Sequence, residues 1–307
     1  MKLDLTNAIY HDEDAARAHL ESIRWPEGPR CARCGSEHVT RMKGKSHRPG
    51  LFHCNSCQMP FSVTINTVME RSKISLAKWV LGFQLMASSK KGVSSHQLHR
   101  MLGITYKSAW FLSMRIREAM GLPKEPPKGS MGGKGKAVEA DETYVGGKAR
   151  NAKKGKPIPP KHAVVTLVER GGKVHAEHVP NVSAKNVRAV MNAQLDKACD
   201  LKTDSSLIYD HIGPEYASHE TVNHSEKEYV RGTAHVNTAE SFHALLKRGI
   251  YGSFHAVSEH HLNRYVSEAA FKFNNRIALG VDDAERAATA IRGAEGKRLT
   301  YRQTDKA

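Results

Sequence analysis

The stretch that decides the fold is Val138-Glu-Ala-Asp-Glu-Thr-Tyr-Val145, whose composition predicts a β-strand. Further along the chain, residues 163–168 are almost entirely β-branched or apolar and predict a second strand. The pair Gly171-Gly172 predicts a turn that returns the chain as a third strand over residues 173–179. Three strands that follow one another closely indicate the start of a single sheet.

Helical patterns follow these strands and define the fold class. Ser183 can cap a helix over residues 184–199, and a short strand over 207–209 is predicted to end at Asp210. Two later helices are predicted over residues 238–248 and 259–273. Strands interspersed with helices in this order predict a mixed α/β domain over residues 137–280, followed by a C-terminal tail over 281–307.

The N-terminal segment, residues 1–73, contains four closely spaced cysteines. Cys31 and Cys34 form one C-x2-C pair, and Cys54 and Cys57 form a second pair after 19 intervening residues. This spacing is typical of a zinc ribbon, in which two short turns supply four thiolates to one structural Zn²⁺. A site filled by four thiolates has no open position, so the zinc is expected to fold the module and not to react with substrate.

Residues 74–120 predict three helices with the rhythm of a helix-turn-helix DNA-binding domain. Ser75 can cap the first helix, Ser94 or Ser95 the second, and Thr105 the third, with a break at Gly103. Lys107, Arg115 and Arg117 are expected to form the basic face of the third helix. A proline- and glycine-rich stretch over residues 121–136 predicts the linker to the α/β domain.

Charge and composition favour a polyanionic partner. The chain has 307 residues, with 47 Lys and Arg against 31 Asp and Glu, which leaves a formal charge of +16. Its 39% of hydrophobic residues is enough for a packed core. No apolar stretch is long enough for a membrane span, and the N-terminus lacks the apolar region of a signal peptide. An excess of positive charge this large favours nucleic acid or an anionic membrane surface as the partner.

Three acids in the α/β region could hold divalent metals for phosphodiester chemistry. Asp141 lies within the first strand, Asp210 ends the predicted fourth strand, and Glu240 falls in the first turn of a helix. Two Mg²⁺ ions (or Mn²⁺) held by such carboxylates activate the attacking oxygen and stabilise the leaving oxygen. Position alone leaves this triad as one choice among many, because most acids are solvated surface groups.

Two blocks of sequence narrow that choice. The first is Val138-Glu-Ala-Asp-Glu-Thr-Tyr-Val-Gly-Gly147. The second is His235-Val-Asn-Thr-Ala-Glu-Ser-Phe-His-Ala-Leu-Leu-Lys-Arg-Gly-Ile-Tyr-Gly252, continued by His255, Arg264-Tyr265 and Phe273-Asn-Asn-Arg276. Both resemble DDE transposases of bacterial insertion sequences that carry a zinc ribbon, a group related to the Merlin DNA transposons of eukaryotes. The resemblance spans about residues 20–280.

The resemblance implies a ribonuclease-H-like catalytic fold and assigns roles to individual residues. Asp141 matches the first acid and Asp210 the second, although Tyr209 precedes Asp210 where the family usually has Thr, which leaves Asp204 as the alternative. The third ligand is Glu240 or Asn237, and we favour Glu240 because a carboxylate binds Mg²⁺ better than an amide does. Lys247 matches a basic residue expected to grip a DNA phosphate. His243, three residues after Glu240, is expected to orient that acid or a water, or else to pack or contact DNA.

The implied function is a DNA transposase that binds terminal inverted repeats, cleaves the transposon ends and transfers the 3′-hydroxyl strands to target DNA. Double-stranded DNA and further copies of the chain, as a homodimer or higher oligomer, are the expected partners, and the expected location is the cytoplasm with the nucleoid. A DNA-binding regulator with an inactive nuclease-like domain is the alternative, and a resolving nuclease without strand transfer is a third possibility. The residues expected to contact DNA are Lys107, Arg115, Arg117, Lys148, Lys153, Lys154, Lys247 and Arg248.

Overall fold

The computed structural model describes residues 4–44, 46–121, 128–147 and 160–300. The chain divides into two compact units, which are described separately. One unit contains Met1–Gly121 together with Asn275–Ala307, and the other contains Leu122–Asn274. Within the described ranges, no helix combines the length and the apolar character needed to cross a bilayer.

The first unit combines a small ribbon with packed helices. Its strands are β1 (Val39–Arg41), β2 (Phe52–Cys54) and β3 (Pro60–Phe61), which form an antiparallel sheet in the order β1-β2-β3. Trp25 packs edge-on against Phe52 and Phe61, with ring centroids 5.5 and 5.8 Å apart. These aromatic rings give the ribbon a hydrophobic core beside its cysteines.

The helices of this unit begin at side-chain caps. They are α1 (Glu13–Arg24), α2 (Leu76–Ser88), α3 (Ser95–Leu102), α4 (Tyr106–Met120) and, from the C-terminal segment, α8 (Asp283–Arg292). The predicted caps Ser75, Ser94 and Thr105 each accept a hydrogen bond from a backbone N–H of the first turn. Gly103 ends α3 with a φ of +58°, a left-handed conformation that favours glycine.

The C-terminal segment returns to the first unit. It was predicted as a separate tail over residues 281–307, whereas α8 buries Ala287, Ala290 and Ile291 among the helices of this unit. Arg286 of α8 donates through Nη1 to the carbonyl oxygen of Ala87 in α2. The amphipathic pattern of α8 is too short to reveal from sequence which surface covers it.

The second unit is a five-stranded mixed sheet, as far as the described residues show. Its strands are β5 (Ala137–Gly146), β6 (Lys161–Glu169), β7 (Val174–Val179), β9 (Asp200–Asp204) and β10 (Ser218–Val222), in the order β10-β9-β5-β6-β7. β5, β6 and β7 are antiparallel neighbours, whereas β9 is parallel to β5 and β10 to β9.

Helices cover both faces of this sheet. On one face Val187, Val190 and Met191 of α5 (Ala184–Gln194) join a core with Val138 and Leu201. On the other face, α6 (Asn237–Gly249) and α7 (Glu259–Asn274) pack on the opposite side chains of β5, β6 and β7. This mixed sheet between helices confirms the predicted ribonuclease-H-like α/β class.

Three predicted boundaries differ from the structure. The helix predicted over residues 184–199 ends at Gln194 and is followed by β8 (Leu195–Asp196). β8 pairs with β4 (Met131–Gly132), so the end of the predicted linker belongs to the second unit, where Met131 is buried. The strand predicted over residues 207–209 is a turn, because Tyr209 and Ile212 reach the core from irregular backbone.

Candidate active site

The register of two parallel strands brings two acids together. Ala137 of β5 pairs with Asp200 of β9, and the pairing continues to Glu139 and Lys202. Two residues further along each strand are Asp141 and Asp204, the last residue of β9. Because paired parallel strands advance together, these acids lie side by side where the two strands separate.

The two sequence candidates for the second acid lie in different places. Asp210 lies six residues beyond the end of β9, in an exposed turn, and its charge acts on His219 rather than on Asp141. Asp204, the alternative considered from sequence, occupies the end of the strand. Thr203 precedes Asp204, which gives this pair the Thr-Asp form that the resembled family usually has at its second acid.

The third predicted acid is carried by α6. Glu240 lies in the first turn of this helix and is half exposed, and its Oε1 is 3.5 Å from Nδ1 of His224. Asn237, the other candidate, is the exposed first residue of the same helix. The charge of Glu240 is close enough to Asp141 to raise the pKa of that acid.

A buried glutamate sets the position of α6. Glu139 is fully buried, and its Oε2 accepts hydrogen bonds from the backbone N–H groups of Thr238 (2.8 Å) and Ala239 (3.0 Å). Its Oε1 accepts from Nε of Arg170 at 2.8 Å, which balances the charge. Val236 at the helix start provides no side-chain cap, so Glu139 caps α6 from the neighbouring strand. The sequence gives no sign of this role, because Glu139 and the helix start that it caps are about 100 residues apart in the chain.

The surroundings of Asp141 raise the pKa of its carboxyl group to near neutrality. Burial, followed by the charges of Glu142, Asp204 and Glu240, raises the pKa of Asp141 to about 7. Burial also raises the pKa of Glu142, whose Oε1 accepts a hydrogen bond from the hydroxyl of Tyr209. Several carboxyl groups held this close favour a cation that neutralises them.

His243 lies beside Asp141. It is buried on α6, with its Nδ1 3.5 Å from Oδ2 of Asp141 and its Nε2 3.0 Å from Oγ1 of Thr166 on β6. Burial, followed by the charge of Lys247, lowers the pKa of His243 to about 4, so its ring is neutral at pH 7. Of the roles considered from sequence, the structure places this ring against Asp141 and not against Glu240.

The residues predicted to contact DNA fall into different environments. Lys107 and Arg248 are exposed, and Lys247 is half-buried beside His243. Arg115 and Arg117 are instead buried, with 7% and 1% of their surface exposed, which corrects their assignment to a basic face. Arg115 donates to the carbonyl oxygens of Glu70 and Leu299 within the first unit. Lys148, Lys153 and Lys154 lie outside the described residues.

The four cysteines form the predicted zinc site. Cys31 Sγ is 3.7 Å from Cys57 Sγ, and Cys34 Sγ is 3.6 Å from Cys54 Sγ, with all four sulfurs within 4.8 Å of one another. Disulfide sulfurs are about 2.05 Å apart, whereas tetrahedral Zn–S bonds of about 2.3 Å place sulfurs about 3.7 Å apart. The backbone N–H of Cys57 donates to Cys54 Sγ and helps lower the pKa of that thiol to about 6. This cluster supports a structural Zn²⁺.

The candidate carboxylates are of the right chemical type for divalent cations. Asp141, Asp204 and Glu240 supply the oxygen ligands that Mg²⁺ and Mn²⁺ prefer. In the described part of the chain, the carboxyl oxygens of these three acids do not all lie within 4.8 Å of one another.

Comparison with known proteins identifies both regions. Residues 132–274 match an ISXO2-like transposase domain, and residues 11–59 match a transposase zinc-ribbon domain. An uncharacterized protein in transposable element ISH50 of Halobacterium salinarum is 27% identical over 263 residues, covering 80% of this chain and 86% of that protein. The chain also resembles a chain in the cryoEM structure of simian T-cell lymphotropic virus intasome in complex with PP2A regulatory subunit B56 gamma, with 15% identity and a TM-score of 0.30. That match covers 56% of this chain and 63% of the other chain, which is less than two thirds of its length.

Proposed function

We propose that this chain is an insertion-sequence transposase that cleaves the ends of its element and joins them to target DNA. Its matches to a transposase zinc-ribbon domain and an ISXO2-like transposase domain support this proposal. The observation that carries this proposal is the register of β5 and β9, which aligns Asp141 with Asp204 beneath the first turn of α6. We assign Asp141, Asp204 and Glu240 as the metal ligands, with Asn237 as the alternative third ligand.

In this proposal Asp141, Asp204 and Glu240 would hold two divalent cations. The bound cations would activate the attacking oxygen and stabilise the leaving oxygen of the phosphodiester. The high pKa of Asp141 means that loading the site removes a proton from this carboxyl group below about pH 7. His243 orients Asp141, and the ammonium group of Lys247 binds a phosphate of the strand to be cut.

End recognition is assigned to the first unit. α3 and α4 are joined by a tight turn at Gly103, and Lys107 is exposed in the first turn of α4. We propose that these helices and the zinc ribbon bind the terminal inverted repeats, with the positive charge of the chain adding nonspecific affinity. Two ends must be joined in one reaction, so a dimer or higher homo-oligomer on DNA is proposed.

The test is Mg²⁺-dependent cleavage of DNA that carries the inverted repeats flanking the coding region. Asp141→Asn and Asp204→Asn should each lower cleavage by about a thousandfold or more, because metal ligands contribute several kcal/mol to transition-state stabilisation. End binding, measured by gel shift, should be retained in both variants.

Asp210→Asn is the matched control, since Asp210 is an exposed acid six residues from Asp204. It should cleave like the wild type. Loss of cleavage in this control together with full activity of Asp204→Asn would reject the assignment. End binding by the wild type without any cleavage would support the regulator instead.

A second pair of variants distinguishes the two candidates for the third ligand, Glu240 and Asn237. Glu240→Gln should abolish cleavage, whereas Asn237→Ala should lower it much less. The reverse result would assign the role to Asn237.

A further inference from the structure

Two histidines and one glutamate converge where β6 and β7 meet the start of α7. His162 is the second residue of β6, His178 lies near the end of β7, and Glu259 is the first residue of α7. Val164 pairs with His178, so His162, two residues before Val164, projects from the same sheet face as His178. The ligand atoms of the three side chains all lie within 4.8 Å of one another.

Distances within this group fit a shared cation better than hydrogen bonds. Nδ1 of His162 is 3.6 Å from Oε2 of Glu259, and Nε2 of His178 is 3.5 Å from Oε1. Hydrogen bonds between such atoms are about 2.7–3.2 Å long. Tetrahedral Zn²⁺ with bonds of about 2.0–2.1 Å holds neighbouring ligand atoms about 3.4 Å apart.

One ligand atom is otherwise unexplained. Nε2 of His178 is buried from solvent and has no hydrogen-bond partner in the structure. Buried polar atoms normally have a partner, because leaving one without any is costly. The backbone N–H of His178 donates a hydrogen bond of 2.7 Å to Oδ1 of Asn263, which connects this histidine to α7. The side chains of both histidines are 14% exposed, whereas that of Glu259 is 57% exposed, so solvent reaches the group from the glutamate side.

We propose that His162, His178 and Glu259 form a second metal site, which binds Zn²⁺ with one position left to water. Two imidazoles and a carboxylate are ligands that zinc accepts. The site is separate from the proposed catalytic acids: His162 pairs with Val145, four residues or roughly 13 Å along β5 from Asp141. Bound zinc would fasten the first turn of α7 to β6 and β7.

The test measures metal binding without DNA, so it is independent of cleavage. Full-length protein is loaded with one equivalent of Zn²⁺, which fills the four-cysteine site, and is then titrated with Co²⁺ in a large excess of Mg²⁺, which keeps the proposed catalytic carboxylates occupied. The wild type should bind one further Co²⁺ with visible absorption typical of nitrogen and oxygen ligands and no added thiolate charge-transfer band. With Zn²⁺ in place of Co²⁺ and the same excess of Mg²⁺, the total should be two zinc ions per chain.

Glu259→Gln is the decisive variant, because its half-exposed side chain can be changed without disturbing the core. It should weaken the second site by at least about a hundredfold, since even indirect partners of a metal ligand contribute 10–100-fold. His178→Gln should do the same, and His211→Ala, which removes an exposed histidine outside the group, should not.

The ion-pair explanation gives a different result. If Glu259 only pairs with the two histidines, zinc-loaded wild type will leave added Co²⁺ with the spectrum of the aqueous ion. That outcome, or unchanged binding in Glu259→Gln, overturns the proposal and leaves the proposed transposase function untouched.

Discussion

Replacing Asp141 with asparagine should remove cleavage and also stabilise the protein. Asp141 is held among other acids, and burial is the main reason that its pKa rises from 3.8 to about 7. The unfolded chain ionises this group near its usual pKa, so the folded state is penalised as pH rises. The difference between the two pKa values corresponds to at most about 4 kcal/mol above pH 7.

The net gain should be smaller than this ceiling. Asparagine is also a buried polar group, and it must replace the contacts of Asp141 with His243 and with the backbone N–H of Glu142. We expect a gain of about 2 kcal/mol at pH 8, or roughly 4–8 °C in Tm for a unit of this size. Thermal unfolding of the full-length protein, with the ribbon zinc loaded and no other divalent cation, measures it.

The pH dependence gives the sign of the effect. The folded pKa lies above the unfolded one, so the wild type is most stable, as far as this group is concerned, below pH 3.8 and loses that stability as pH rises to about 7. The advantage of Asp141→Asn should therefore be small near pH 4, grow to pH 7 and stay constant above it. Millimolar Mg²⁺ should stabilise the wild type more than the variant and narrow the gap.

Asp210→Asn is again the control, since this acid is exposed, and it should change Tm little at any pH. Equal stability of Asp141→Asn and wild type at pH 8 without Mg²⁺ would refute the reasoning. So would a gain that is the same at pH 4.5 and pH 8.

Three other predictions concern different parts of the chain. Glu139→Gln should destabilise the protein by about 3 kcal/mol and reduce cleavage, because it leaves Arg170 without its charged partner and weakens the cap of α6. Chemical denaturation measures the loss of stability and a cleavage assay the loss of activity, with Glu177→Gln on β7 as the control. Unchanged cleavage would contradict the positioning role of Glu139. Lys107→Ala should make the plot of log DNA-binding constant against log salt concentration less steep by about one unit. Arg117→Met should leave that slope unchanged and lower the free energy of unfolding by about 2 kcal/mol or more, because Arg117 is buried. A changed slope in Arg117→Met alone would contradict the burial argument. Cys34→Ser should release the ribbon zinc, which zinc analysis measures, and weaken end binding, which a gel shift measures. The second unit should still unfold cooperatively in calorimetry. Specific end binding that persists in this variant at high salt would show that the ribbon does not take part in recognition.

The ribbon and the helix caps could be predicted because their determinants are local. Two C-x2-C pairs bring their thiolates together within short turns, and Ser75, Ser94 and Thr105 bond to N–H groups three residues away. The strand that contains Asp141 could be identified for the same reason. The family resemblance added the ribonuclease-H-like class, which the strand order confirms.

The buried arginines and the second acid depended on distant contacts. A sequence pattern places Arg115 and Arg117 on a helix, but it does not show that both are buried. Arg115 is covered in part by the returning C-terminal segment, where it donates to the carbonyl oxygen of Leu299. Likewise, Leu207-Ile-Tyr-Asp210 has the composition of a strand, yet these residues reach the core from a turn.

A zinc ribbon, a capped helical region and an α/β domain with Asp141 in its first strand could all be predicted from local sequence, since each depends on residues near one another in the chain. Only the tertiary structure decided that Asp204 adjoins Asp141, that Glu139 caps α6, and that His162 and His178 meet Glu259. Those neighbours are set by strand register and helix docking between segments about 60 to 100 residues apart. Register comes from pairing across the whole sheet, which no short stretch of sequence encodes.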